Sequence, residues 1–376
     1  MAEKISLFEA IAILVGTIIG AGILGVPFVV AQAGFITGLV VLLVVAFAMV
    51  MINLFLGEIV LSTNVTHQLT GYAQKYLGKP AKYLTLLVTA VGFYGALLAY
   101  IIGEGEVLAA LTGGSPVFYS IIFFTFGASL VFLGLTVIKR FEFIMTLCVL
   151  TIVLIIVLSG YGLINFENLT QFSLAKIFIP YGVIFFAMAG SSAIPQLRQA
   201  LRGKEKSVKK AIIIGVTIPF VVYLIFTLVI IGVTGLNTTE IATIGLGAVL
   251  GKSMIIFGNL FAFFTMATSF LTLGLALKET YRCDLGLGPK ISWLLTCLPP
   301  VIVFLAGLNN FALILSLVGA VVGGLDGLLI LAIYSKLKTL PRTERHPEYR
   351  IPAPLPIIIF LSLLFIGGII YSLWQV

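Results

Sequence analysis

Apolar segments of about twenty residues recur along the whole chain, and no other feature limits its fold so severely. The hydrocarbon core of a bilayer, roughly 30 Å thick, is crossed by about 20 residues of helix. Measured against that length the sequence yields eleven spans: 8–34, 36–62, 81–111, 115–138, 140–164, 176–200, 208–234, 254–281, 288–308, 309–336 and 353–375. The fold class is therefore all-α and integral to a membrane, and residues 1–376 read as one transmembrane domain. A mean hydropathy of +1.21 with only 10% charged residues excludes a water-soluble domain. The first apolar run continues about ten residues beyond Gly25, too far for the short apolar stretch of a cleaved signal peptide.

Charge tests the count. Cytoplasmic connections retain Lys and Arg, and with the N-terminus inside, 20 of the 22 basic residues fall on the inner side. They are Lys4, the group from Lys75 to Lys82, Lys139 and Arg140, the run from Arg198 to Lys210, the group from Lys278 to Lys290, and that from Lys336 to Arg350; Lys176 and Lys252 lie outside. An odd number of spans puts the C-terminus outside. The stretch RQALRGKEKSVKK could serve nucleic acid or anionic lipid, but a topology-setting loop accounts for it and for the +8 net charge. No nucleic-acid partner is expected. Asn168-Leu-Thr170 and Asn237-Thr-Thr239 match the glycosylation pattern, which means nothing in the prokaryotic cell membrane that such compact connections suggest.

Within the first span, VGTIIGAGILGVPFVV (Val15 to Val30) makes a poor continuous helix. Gly16, Gly20, Gly22 and Gly25 lower helix propensity, and Pro27 removes a donor. Gly16 and Gly20 also form a GxxxG, which serves equally to bring two helices close. The sixth span carries a similar interruption, Ala187 to Pro195 in IPYGVIFFAMAGSSAIPQL. Spans one and six each open a block of five, residues 8–164 and 176–336, with 353–375 left over as an extra helix. Because five is odd, the second block enters from the opposite side. That is the arrangement of inverted-repeat transporters, whose discontinuous helices meet near the midplane. No side-chain repeat between the halves is visible, so position alone carries this expectation.

The same segments carry a family likeness. GTIIGAGILGVPFVVAQAG closely resembles the opening motif of the amino acid/auxin permease group, particularly the hydroxy/aromatic amino acid permeases of the amino acid-polyamine-organocation superfamily. PYGVIFFAMAGSSAIPQL and TMATSFLTLGLALKETYRCDLG resemble that group's sixth and eighth helices. The resemblance covers nearly the whole chain. It implies the LeuT-type fold, with ten core helices in a five-plus-five inverted repeat, discontinuous helices one and six, and an eleventh helix. It also implies amino acid uptake driven by a cation gradient. Where the relatives' sixth helix often has a polar residue or His, this chain has Ala189-Gly190-Ser191-Ser192, so their substrate preference is not carried over.

A helix restarted after a break leaves free N–H groups and a partial positive charge, which suit a carboxylate. Gly20, Ala21, Gly22, Ile23 and Leu24 are the expected donors, with glycine permitting close approach. The carbonyls ending the first half of span six, at Phe185, Phe186 and Ala187, suit an ammonium group. A zwitterionic amino acid satisfies both. Phe186, Ala189, Phe93, Tyr94 and Tyr100 are candidate walls, with Tyr94 preferred because Gly92 and Gly95 leave room beside it. Aromatics at helical spacing are also ordinary packing.

Two coupling ions are open. Thr265, Thr268 and Ser269 share a face of span eight, which the LeuT-type fold sets beside the first break. With the carbonyls of Gly16 and Ile19 they form a candidate sodium shell, the plain alternative being hydroxyls bonded to the preceding turn. Proton coupling, which the likeness to hydroxy/aromatic permeases implies, would use Asp326 or Glu58 as carrier, since ionisable residues within spans are functional suspects. Glu104 and Glu106 read as solvated at the outer end of span three.

An enzyme is not expected. The sequence has no pair of aspartates within spans, no Ser with a suitably placed His and no HExxH, and Asp284 lies in a polar connection. His67 and His346 fall in connections, and Cys148, Cys283 and Cys297 have neither disulfide-framework nor CxxC spacing. No cofactor is expected beyond the candidate sodium ion. The chain reads as a secondary active transporter of neutral amino acids, aromatic or hydroxy ones among them, working by alternating access. A nontransporting receptor of the same fold is the alternative.

Overall fold

Ser6 opens the first helix. Its hydroxyl accepts from the Glu9 N–H at 3.2 Å while the Glu9 carboxylate accepts from the Ser6 N–H at 2.6 Å, a reciprocal cap for two otherwise orphaned donors. In the computed structural model, which describes residues 6–134, 138–341, 344–352 and 355–374 without the side chains of 138–146, 148, 149, 252, 283 and 284, this helix is α1 (Leu7–Ile18). Lys4, Lys139, Arg140, Cys148, Lys252, Cys283 and Asp284 thus lie outside the described side chains. The chain restarts as α2 (Gly22–Ala33), bent by 54° from α1. The break falls in the glycine cluster, where helix propensity is lowest.

The remaining helices are α3 (Phe35–Leu61), α4 (Leu69–Leu77), α5 (Lys79–Thr112), α6 (Pro116–Leu133), α7 (Ile138–Gly160), α8 (Tyr181–Ala187) and α9 (Ile194–Ala200). They continue as α10 (Val208–Thr234), α11 (Ala242–Leu250), α12 (Lys252–Asp284), α13 (Pro289–Leu305), α14 (Phe311–Leu317), a π turn at Val318–Gly323, α15 (Gly324–Thr339) and α16 (Leu355–Trp374). No strand occurs among the described residues. Among the described residues seven segments are long and apolar enough to cross a membrane, or eight when the bent pair α1–α2 counts as one. These coincide with expected spans one to four, seven, eight, ten and eleven. Spans five and nine hold shorter apolar helices, Leu150–Leu163 and Pro289–Leu305. Span six is two seven-residue helices, α8 and α9, parted by Met188–Ala193.

Two nine-residue helices occupy connections where apolar runs give no sign of them, and they are built alike. α4 ends on Gly78 (φ 95°, ψ −179°) and α11 on Gly251 (φ 91°, ψ −176°), a conformation that favours glycine. Each glycine leads directly into a long helix that begins with Lys, α5 of 34 residues and α12 of 33. These two long helices pack against each other.

Buried cations finish two helices. Arg198 on α9 donates to the carbonyls of Val60 at 2.5 Å, Thr63 at 2.8 Å and Asn64 at 3.3 Å, at the end of α3. Lys278 on α12 donates to Val131 at 2.8 Å and Phe132 at 2.9 Å, at the end of α6. A helix C-terminus carries unpaired carbonyls and partial negative charge, so a cation is stable there without an acidic partner.

Residues 344–352 form a strap across the end of α3. The Arg345 N–H donates to Ser62 at 3.2 Å, its guanidinium to Leu61 at 3.0 Å, and the Tyr349 hydroxyl to Leu54 at 2.9 Å. Glu58 accepts from Lys338 at 2.5 Å, the Ile351 N–H at 2.7 Å and Tyr334 at 3.0 Å. At the strap's near end Glu344 pairs with Lys75 at 2.6 Å and accepts from the Asn64 N–H at 3.1 Å. The Lys75 ammonium and that N–H hold the Glu344 carboxyl below the usual glutamate range. A group depressed on folding supports the fold above its unfolded pKa and ceases to as pH falls through the folded one. A nitroxide at position 346 should therefore stay immobile at neutral pH and gain mobility only as pH drops below the ordinary carboxylate range. Glu344→Gln should give the mobile spectrum at neutral pH; a spectrum unchanged by that substitution would reject the clasp.

Candidate functional site at the helix breaks

Three contacts set the two breaks face to face. A Cβ on Gly22, at the start of α2, would lie 2.5 Å from both Cα and Cβ of Ala187, at the end of α8. One on Gly190 would lie 2.7 Å from Ile18 Cγ1. The fully buried Tyr223 of α10 directs its hydroxyl to the carbonyls of Ile18 at 2.7 Å and Ala187 at 3.0 Å. Ile18 and Ala187 are the last residues of α1 and α8, so one phenol serves both helix ends where intrahelical donors run out. Sequence reasoning misses Tyr223, whose only signal is a hydroxyl in the apolar run of span seven.

The backbone at the first break satisfies part of itself. The Gly20 N–H bonds the Ile18 carbonyl at 2.9 Å, Ile23 bonds Gly20 at 3.3 Å, and Leu24 bonds Ala21 at 3.0 Å. Of the five expected donors, Ala21 and Gly22 keep N–H groups without a hydrogen-bond partner among the described residues, as do the carbonyls of Gly16 and Ile19. At the second break Tyr223 occupies one face of the Ala187 carbonyl, and the Ala189 N–H bonds Phe186 at 3.2 Å. The Ala187 carbonyl retains a second lone pair, whereas that of Phe186 also accepts from the Met188 N–H. Ala189 and Ser192 are exposed between buried Met188 and Ala193, so the gap is open on that side. Ser191 donates to Asn53 of α3 at 3.0 Å.

α12 reaches the break through Ser269, whose hydroxyl lies 3.4 Å from the Cβ position of Gly20 and interacts with the buried Tyr100 of α5. Thr265 donates to Phe261 at 2.8 Å and Thr268 to Phe264 at 2.8 Å, the preceding-turn bonds common in apolar helices. Both threonine oxygens can still accept.

Several expected residues are held elsewhere. Tyr94 donates to the Leu295 carbonyl at 2.8 Å and meets the Tyr281 hydroxyl at 2.5 Å. The space beside it is filled: a Cβ on Gly92 would come within 2.7 Å of Val322 Cγ1, and Gly95 lies against Val318. Those glycines admit the π turn of span ten, not a ligand. Phe185 packs edge-on to Phe365 at 5.5 Å, while Phe186 is half-buried with its backbone against Gly319. Phe93 is half-buried on α5. Glu58 lies under the strap with its three donors. Asp326, in the first turn of α15, has a buried Oδ1 without a partner among the described residues. Glu104 is not solvated as expected, because α12 and α6 close over that part of α5; it is fully buried. The described residues contain no cluster of three or more His, Cys, Asp or Glu able to hold a metal.

A helical multi-pass membrane protein with two breaks meeting around open backbone donors has the build of a small-molecule carrier. The tryptophan/tyrosine permease family matches residues 3–375, and the chain belongs to that family. It is 30% identical over 336 residues, 82% of each chain, to tyrosine-specific transport system 1 of Haemophilus influenzae. It is 23% identical over 359 residues, 92% of each chain, to glutamine transporter 2 of Aliivibrio fischeri. The low affinity tryptophan permease of Escherichia coli is 23% identical over 345 residues, 82% of each chain. The aromatic-permease likeness seen in the first span is borne out at family level, and the chain is a transporter and not an enzyme.

The demand on Gly22 comes from Ala187. Gly22→Ala should cost about 1–3 kcal/mol, the usual range for overpacking, whereas Gly162→Ala, with nothing within 4 Å of its Cβ position, should melt like the parent. Tyr223→Phe deprives two buried carbonyls of a donor and should cost about 1–3 kcal/mol. Thermal melting of the purified protein reads all three.

Proposed function

We propose that the chain is a secondary active transporter that carries neutral amino acids, aromatic and hydroxy ones among them, through the junction of the two breaks. The observation that carries this is the pair of unpartnered N–H groups on Ala21 and Gly22 at the start of α2. They suit a carboxylate, with Gly20, Ile23 and Leu24 around it and the Phe185–Ala187 end of α8 toward the ammonium. The relatives are named for tyrosine, tryptophan and glutamine. These share the zwitterionic unit and differ in side chain, which fits recognition by backbone. Phe186 and Ala189 would line the side-chain end, while Tyr94 is engaged by Leu295 and Tyr281.

Eleven spans follow if α7, the α8–α9 pair and α13 join the eight. The five-plus-five inverted repeat of the LeuT type is supported by the paired units α4–Gly78–α5 and α11–Gly251–α12. They occupy equivalent places in residues 8–164 and 176–336, with α16 as the eleventh helix. Lys75, Arg198, Lys338 and Arg345 come from three separate connections and gather at one end of the molecule. This supports a cytoplasmic N-terminus, and a C-terminus outside, in the cell membrane.

For coupling, a sodium ion fits the free carbonyls of Gly16 and Ile19 with the Ser269 hydroxyl, Thr265 and Thr268 adding oxygens. A proton reading is favoured by the partnerless Asp326, whereas Glu58 is already neutralised by Lys338. A ligand that binds the folded state raises its melting temperature. At least one of the twenty amino acids should do so, and the same one should show counterflow in liposomes. No shift and no counterflow with any of them would reject the reading. An imposed sodium gradient at equal pH should stimulate uptake in the parent and not in Ser269→Ala. Indifference to sodium would remove the shell and leave Asp326→Asn as the decisive variant.

A further inference from the structure

We propose that Glu104 carries a proton through the transport cycle, taking it up at the end of the molecule where Glu106 and Glu240 lie and releasing it to the opposite side. The proposal rests on the transporter reading above and concerns its coupling.

Glu104 is fully buried on α5, and neither carboxyl oxygen has a hydrogen-bond partner among the described residues. The Ala267 backbone of α12 faces it, but that N–H belongs to its own helix. A carboxylate enclosed in apolar side chains is unstable unless a cation or a proton accompanies it. The packing decides which. A Cβ on Gly103 would lie 2.6 Å from the Met266 sulfur and 3.0 Å from the Phe311 ring, and one on Gly105 would lie 2.5 Å from the Pro116 carbonyl oxygen. Helix α5 is packed closely on both sides here, and residues 253–277 of α12, α14 and α6 bring no second acidic side chain to help hold a metal ion. A proton needs none.

Its position links the break to water. One turn toward the break, Tyr100 interacts with Ser269, which lies against Gly20. Two residues the other way, half-buried Glu106 feels the charge of Glu240. Glu240 accepts from Asn310 at 3.1 Å and the Ala312 N–H at 3.1 Å at the start of α14.

No fixed charge competes. Helix α12 has no ionisable side chain between Lys252 and Lys278, α14 and the π turn have none, and α6 has only Tyr119, near its start. The ionisable groups of α4, α13 and α15 meet α5 in its Lys79 half. Tyr94 touches Leu295 there, and Gly92 touches Val322, four residues before Asp326. Gly92 is about 18 Å of helix from Glu104, so Glu104 and Asp326 sit toward opposite ends. In the step itself the Glu104 carboxylate takes a proton from water at the Glu106 end, forming the carboxyl O–H bond; in the other half of the cycle that bond breaks and the proton passes, by way of the break, to water on the opposite side.

The test uses proteoliposomes and a radiolabelled mixture of the twenty amino acids. The parent should take up label several-fold faster with an inward proton gradient than at equal pH. Glu104→Gln should lose that stimulation yet keep counterflow, since exchange needs no net proton movement, and Glu104→Asp should keep part of it. Stimulation undiminished in Glu104→Gln, or a parent indifferent to the gradient, would overturn the proposal. Absence of counterflow in the parent would instead overturn the transporter reading. If Glu104→Gln does not fold, dicyclohexylcarbodiimide on the parent replaces it: modification at Glu104 should abolish gradient-driven uptake and spare counterflow, and an unmodified Glu104 or unaffected uptake overturns the assignment.

Discussion

A backbone carbonyl in hydrocarbon needs a donor, and at the junction of the two broken spans a single phenol supplies one to both. Tyr223 holds Ile18 and Ala187 together from a third helix, so the ends of α1 and α8 are fixed relative to α10 as well as to each other. That bond accounts for the rest of the site. With the carbonyl ends occupied and Gly22 pressed on Ala187, the backbone groups left open are the N–H groups of Ala21 and Gly22 and the carbonyls of Gly16 and Ile19. The site is thus a remainder: whatever a broken helix cannot satisfy internally, and Tyr223 does not cover, is available to a ligand.

The same accounting explains the buried charges. Arg198 and Lys278 are nearly enclosed, yet both rest on helix-end carbonyls. Glu58 is likewise almost inaccessible and has three donors, two of them from the chain that follows α15 or the end of α15 itself. Against these, Glu104 and Asp326 stand out because their buried oxygens have no partner among the described residues. Asn53, Ser62, Tyr181, Thr227 and Asn259 also carry a buried polar atom without a partner there, but an unpaired carboxyl is the costliest of these to enclose.

Much of this was legible in the sequence because backbone propensity is local. The glycines from Gly16 to Gly25 weaken a continuous helix whatever surrounds them, and the break falls at Ile19 to Ala21, inside that cluster. Side-chain placement was less legible, because a glycine marks close approach without naming what approaches. Gly92 and Gly95 suggested ligand space beside Tyr94, and Val322 and Val318 occupy it. Glu104 looked solvated from its distance to the span end, but α5 runs to 34 residues and its neighbours close over that part. Tyr223 was unreadable, since its acceptors lie 205 and 36 residues away. No repeat between the halves was legible, because the one shared tripeptide, Leu-Gly-Lys at 77–79 and 250–252, is too short to signify without the nine-residue helices that precede it.

Arg198 belongs to α9, the second half of the broken sixth span, but the carbonyls it covers belong to α3. Sliding α9 along α3 would strip up to three acceptors of their donor in an apolar surrounding, each a loss of about 1–3 kcal/mol. The two helices are therefore mechanically one part. A hinge within the sixth span would fall between Met188 and Ala193, since α9 is tied to α3 by Arg198 while Tyr223 ties α8 to α10.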